Sequence, residues 1–145
     1  MCATFLVTYL RLIVDTNRII AALLRDSYSR KILSSGRFEF LVPKLVYHEI
    51  TANKQDLLSK SELSEERFNA ALSSLMSRTT VVDEQDYFLK LPEAMQIMGK
   101  IDPKDATFIA LALSIPNNGI WTEDRHFEKQ DVVRVWKTAE LLGLI

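Results

Sequence analysis

The sequence is short of the groups that most enzyme chemistries need. A single cysteine, Cys2, rules out an internal disulfide, and a cytoplasmic protein is expected. No Gly-rich loop ending in Lys-Ser or Lys-Thr is present to cradle phosphates, and there is no dinucleotide-binding fingerprint. No serine sits in a nucleophile elbow. The two histidines, His48 and His126, are isolated and lack zinc-ligand spacing, so both are expected to be surface or structural residues. The apolar start, Met1 to Leu10, lacks the basic beginning of a signal peptide and is too short to cross a bilayer, so no membrane role is expected. A net charge of −1 supplies no overall attraction for nucleic acid, and any such binding must come from a local basic patch or a bound metal. Repeats, low-complexity tracts and Gly-, Pro- or Ser-rich linkers are also missing.

What remains is a chain of 145 residues, 48% hydrophobic and 26% charged, which is ordinary for one globular domain with a real core. The expected organisation is an N-terminal extension at 1–10 and a single domain at 11–145. Short apolar runs alternate with helical patterns along it. Arg11 to Val14, Phe38 to Val42, Thr79 to Val82, Ile120 to Thr122 and Val132 to Trp136 read as strands. Helical spacing lies between them: Ile19, Ile20, Leu23 and Leu24; Leu45, Val46, Tyr47 and Ile50; and a polar helical hairpin or arm over residues 55–77 with Ser64 as N-cap and Leu63 with Phe68 as a staple. Residues 84–98 read as a helix interrupted by Pro92, with Met95, Ile97 and Met98 in the core. Alternation of this kind predicts an α/β fold, a parallel sheet of about five strands with helices on both faces.

The stretch from Ile101 to Glu128 organises the rest. Asp102-Pro103 opens a nearly all-apolar helix, Pro116 to Gly119 is a turn, and Glu123-Asp124 follows a short strand. Ligands bind past the carboxyl ends of strands in open α/β sheets. Asp15 and Asp124 follow strands directly, while Glu49 and Asp105 lie in the first turns of helices that start at the same edge. Each acid also has a plainer explanation: Asp15 or Asn17 as a helix N-cap, and Glu49 as a partner of Lys44 or Lys54. Gathered together, the four carboxylates would repel one another. A hard divalent cation, Mg²⁺ or Mn²⁺, relieves that repulsion and can polarise a phosphoryl oxygen and acidify water, which suits phosphodiester hydrolysis.

Four short motifs in order carry a resemblance to a known family. They are Ile13 to Asn17, Val46 to Ile50, Asp105 with Phe108 to Ala112, and Trp121 to Phe127. Over about Leu12 to Leu142 the chain resembles PIN-domain proteins, of the kind found as the toxin in VapC-type toxin–antitoxin pairs. The resemblance implies a three-layer α/β/α sandwich and a Mg²⁺- or Mn²⁺-dependent endoribonuclease. It assigns catalytic roles to Asp15, Glu49, Asp105 and Asp124, with Asp15, Asp105 and Asp124 as metal ligands and Asn17 and Thr122 in support. Asp102 is left to helix capping, and Glu123 is expected to be a solvated neighbour. Arg18, Lys44, Lys104 and Arg125 stand beside the acidic motifs and are the candidates for RNA phosphate contacts. The partners implied are RNA, a small antitoxin for which residues 53–78 offer a surface, and a second copy in a homodimer.

Other readings stay open on sequence alone. A housekeeping RNA-processing nuclease would carry the same acids. A receiver-like signalling module would use Asp83 as phosphate acceptor with Thr122 and Lys137, but it lacks the adjacent acid pair after the first strand. A non-catalytic PIN scaffold would bind RNA or protein without needing metal.

Overall fold

The computed structural model describes residues 9–24 and 27–145. The expected extension at 1–10 falls mostly outside them; within the described part, Leu10 already begins the first strand. The strands are β1 (Leu10–Val14), β2 (Phe38–Pro43), β3 (Thr80–Val82), β4 (Ile120–Trp121) and β5 (Val135–Trp136). They form one sheet of order β3-β2-β1-β4-β5, parallel at every pairing. The helices are α1 (Thr16–Leu24), α2 (Ser27–Ser34), α3 (Leu45–Ala52), α4 (Lys54–Ser61), α5 (Glu65–Met76), α6 (Leu91–Met98), α7 (Ala106–Ser114) and α8 (Thr138–Leu142). Helices α1, α2, α4, α5 and α8 pack together, while α6 and α7 pair separately and α7 lies on β1 and β2. The result is the three-layer α/β/α sandwich.

Strand β1 is central, and Leu12, Ile13 and Val14 have no exposed surface, as a continuous apolar strand in a parallel sheet requires. From β1 the chain lays down β2 and β3 to one side, then crosses to lay down β4 and β5 on the other. The order therefore reverses between β1 and β4. This is the switch point at which open α/β sheets form a crevice.

The turn after α7 sets the register of β4. Asn117 Nδ2 donates to the carbonyls of Ala112 and Ile115, at 2.8 and 2.7 Å, and Asn117 Oδ1 accepts from Gly119 N. Asn118 Oδ1 accepts from Arg11 N at 2.8 Å, and Asn118 N donates to Arg11 O at 2.7 Å. Gly119 has φ +128°, and a Cβ there would come within 2.5 Å of the Arg134 carbonyl, so only glycine fits between β4 and β5. These bonds bring Val14 level with Trp121, and the residues just past each strand end meet.

Several local expectations are corrected. Residues 84–90 form two short 3₁₀ turns, and Pro92 lies in the first turn of α6, where its missing N–H costs nothing; it starts that helix rather than interrupting it. Met95, expected in the core, is 44% exposed on the outer face of α6, whereas Met98 is fully buried. Strand β4 ends at Trp121 and β5 begins only at Val135. The helical hairpin expected over 55–77 is present as two helices, α4 and α5, and Ser64 caps α5 as expected, accepting from Arg67 N at 3.2 Å.

Candidate active site

Asp15, Glu49, Asp105 and Asp124 all line one cleft of about 440 Å³, together with Asn17, Asp102 and Lys104. Four separate stretches of chain supply them, each at the carboxyl edge of the sheet. Larger hollows of about 650 and 500 Å³ open elsewhere, the first along β2 and β3 and the second at the amino ends of β4 and β5. Neither contributes to the one group of potential metal ligands among the described residues.

Asp15 directly follows β1 and is only 5% exposed. Its Oδ2 accepts a 2.7 Å hydrogen bond from Thr122 Oγ1, which is itself fully buried. Burial pushes the Asp15 carboxyl above its ordinary range; the Thr122 and Asn17 hydrogen bonds oppose that rise, and the Asp124 charge adds to it. The Asp15 contact to the Asn17 backbone shows that capping geometry and a place in the cleft coexist in one residue. Asp124 caps the 3₁₀ turn Arg125–Lys129, with Oδ1 accepting from His126 N at 2.9 Å. The Asp124 N–H in turn donates to Thr122 Oγ1 at 2.9 Å.

Asp105 sits between the 3₁₀ turn Pro103–Asp105 and α7, with 9% exposure. Burial, then the charges of Asp102, Asp124 and Asp15, raise its pKa to about 7, with only His126 opposing. Its Oδ2 is buried and has no hydrogen-bond partner among the described residues. A buried carboxylate oxygen without a donor is costly unless something outside the protein completes it. A divalent cation fits that need, because the surrounding donors are oxygens of like charge.

A family model described as PIN domain matches residues 13–143. The chain belongs to the PIN-domain family. No match is found among curated proteins. PIN domains are generally nucleases, and this PIN domain carries an acidic cleft at the sheet's switch point, with a group of side chains able to hold a metal ion.

Two further residues join Asp105 in the group of potential metal ligands: Asp102, left to capping on sequence, and His126, expected to be a surface or structural residue. Asp102 caps its turn, Oδ1 accepting from Lys104 N at 3.0 Å, yet it also faces the cleft. His126, read as isolated, brings Nδ1 within 3.3 Å of Asp102 Oδ2, 3.5 Å of Asp124 Oδ1 and 3.7 Å of Asp105 Oδ2. One ligand atom each from Asp102, Asp105 and His126 lie within 4.8 Å of one another. The available signals were the three-residue step from Asp102 to Asp105 and the two-residue step from Asp124 to His126. Neither is distinctive without the fold.

Glu123 turns the other way. Its Oε1 accepts from Thr138 N at 2.6 Å, at the start of α8. Burial acts to raise its pKa, but the Thr138 hydrogen bonds prevail and hold it below the ordinary value. It is exposed, as a solvated neighbour of the site would be, and it also serves as a helix-end acceptor. Glu49 is half-buried on α3, and no ion pair joins it to Lys44 or Lys54 among the described residues; Lys54 pairs instead with Glu65 at 2.9 Å.

The four basic candidates separate. Lys104 lines the cleft. Lys44 lines an adjacent hollow of about 260 Å³ with His48 and Tyr87. Arg125 is exposed just past Asp124. Arg18 is half-buried, and its Nη1 donates to Ser29 Oγ at 3.4 Å.

Proposed function

We propose that this PIN domain is a divalent-metal-dependent endoribonuclease, acting as the toxin of a toxin–antitoxin pair. The observation that carries the reading is the convergence of Asp15, Glu49, Asp105 and Asp124 on one cleft past β1 and β4. In it Asp15, Asp105 and Asp124 hold Mg²⁺ or Mn²⁺. The cation supplies positive charge that polarises a phosphoryl oxygen and acidifies water.

The chain's own residues do the rest. Thr122 fixes Asp15 in one orientation through its hydroxyl, and the same hydroxyl anchors the backbone of Asp124. Asn17 supports the metal side of the cleft. Glu49, which lines the same cleft and stands outside any ion pair among the described residues, orients the attacking water and takes its proton. Hydrolysis forms a bond from that water oxygen to phosphorus and breaks the bond to the leaving ribose oxygen, which gains a proton. Lys104 meets a phosphate in the cleft, and Arg18, Lys44 and Arg125 extend the track outward.

RNA cleavage is the test. Asp15→Asn and Asp105→Asn should abolish cleavage while circular dichroism and melting show the fold retained. A metal-loaded wild-type protein that leaves a broad panel of RNAs uncut overturns the reading. Expression in a bacterial host separates the toxin from a housekeeping nuclease: growth arrest that a small co-expressed partner relieves marks a toxin. The surface over residues 53–78, the half exposed on α4 and α5, is where we place that partner, and a homodimer and a cytoplasmic setting belong to the same proposal. The receiver-like alternative finds no support, since Asp83 is exposed beyond the edge strand β3 and does not line the cleft.

A further inference from the structure

His126 stands beside the cleft residues Asp102 and Asp105, and a wholly oxygen-based metal site does not need it. Its side chain is 43% exposed, yet Nδ1 is buried and makes no hydrogen bond among the described residues. The ring is held from two directions. Its backbone N–H is tied to Asp124 Oδ1. The next residue, Phe127, is fully buried and meets Phe108 of α7 edge-on at 6.2 Å. Phe108 stands three residues after Asp105. The turn carrying the imidazole and the helix that starts directly after the orphaned carboxylate are thus held together by packing.

The separations suit shared coordination. With metal–donor bonds of about 2.1 Å, neighbouring donors of an octahedral ion stand about 3.0 Å apart and opposite ones about 4.2 Å. The distances of 3.3 Å from Nδ1 to Asp102 Oδ2 and 3.7 Å to Asp105 Oδ2 fall between those limits. Asp105 Oδ2 is buried, has no hydrogen-bond partner among the described residues, and belongs to the same group of ligand atoms, all within 4.8 Å of one another. Mg²⁺ is a hard ion that takes oxygen ligands, whereas an imidazole nitrogen favours first-row transition ions.

We propose that His126 Nδ1 is a nitrogen ligand beside Asp102 and Asp105, and that this donor set makes the cleft select a divalent transition-metal ion over Mg²⁺. The proposal rests on the metal-dependent reading above and goes beyond it by naming the ion class and two further ligands.

The probe is Mn²⁺ alone, on the full chain, read by pulsed electron paramagnetic resonance. Wild type is expected to show modulation from a directly bound nitrogen. The chain has two histidines, so His48→Ala should keep the modulation and His126→Ala should lose it. By calorimetry, Mn²⁺ should bind wild type at least about tenfold more tightly than Mg²⁺, and His126→Ala should shrink that ratio to within about threefold. His126→Gln serves as the second variant should the alanine protein fail to fold. Bound Mn²⁺ without nitrogen modulation, or with modulation that survives loss of His126, overturns the ligand assignment and leaves the carboxylate site standing. An imidazole acting only as a counterion gives that result. A protein that binds no Mn²⁺ at all overturns both this inference and the reading beneath it.

Discussion

Thr122 and Asp15 stand 107 positions apart in the chain and share a 2.7 Å hydrogen bond, the threonine hydroxyl donating to the carboxylate. The same hydroxyl accepts from the Asp124 N–H at 2.9 Å. One buried hydroxyl therefore ties the end of β1 to the end of β4 and sets the spacing of two acids. Thr122→Val keeps the shape and removes the donor. It should cost about 1–2 kcal/mol of stability, since a buried carboxylate loses its partner. Divalent-ion affinity should fall as well, and Thr122→Ser should restore both. Urea denaturation and calorimetry read the two effects, and a valine variant with wild-type affinity contradicts the positioning role.

Asp105 should make the metal-free protein less stable as the pH rises. Its pKa of about 7 in the folded chain lies above the ordinary 3.8. The folded state thus binds more protons between those values. The group's favourable contribution is complete below the lower value and is lost as the pH climbs through about 7. Asp105→Asn should therefore stabilise the chelator-treated protein at pH 8, on the order of 2 kcal/mol after allowing for solvent in the open cleft, and far less at pH 4.5. Denaturant titrations at the two pH values check this. A gain of equal size at both would place its origin elsewhere.

The same carboxyl must lose its proton before it can ligate a cation. Metal affinity should hold steady above pH 8 and fall below about 7, by up to about tenfold per pH unit. Calorimetry in buffers of different ionisation enthalpy should detect proton release on binding at pH 6.5 that fades by pH 8.5. Affinity that is flat from pH 6 to 8 counts against Asp105 as a ligand.

Glu123 and Asp124 are neighbours with opposite expected roles. Glu123 accepts from Thr138 N at the start of α8, so Glu123→Ala should cost about 1 kcal/mol and leave metal binding unchanged. Asp124→Ala should weaken metal binding severely. Paired calorimetry and melting on the two variants test the contrast. Loss of metal affinity in the Glu123 variant would mean that the dipeptide acts as a unit.

Much of this architecture is readable without coordinates. The apolar runs around Leu12 to Val14 and Phe38 to Val42, each followed by a helical pattern, require buried parallel strands, because the burial of apolar surface depends on residue type and spacing. The nearly all-apolar α7 and the Pro116 to Gly119 turn are legible too: an apolar helix must be covered, and a Pro-Asn-Asn-Gly cluster breaks it into a turn. The positions of Asp15 and Asp124 just past their strands follow from that alternation.

Direction is what the tertiary structure decided. Local pattern does not say that Glu123 turns toward α8 while Asp124 turns toward Asp15, since one residue along an irregular segment reverses a side chain's aim. Nor does it reveal that Asp102 both caps a turn and faces the cleft, or that His126 reaches Asp105 across 21 positions of chain. Pro92 and Met95 show the same limit, because helix starts and outer faces depend on which neighbour happens to lie alongside. Composition and periodicity determine which groups leave water, but the meeting of charged side chains is settled by how whole elements pack, and no stretch of sequence records that by itself.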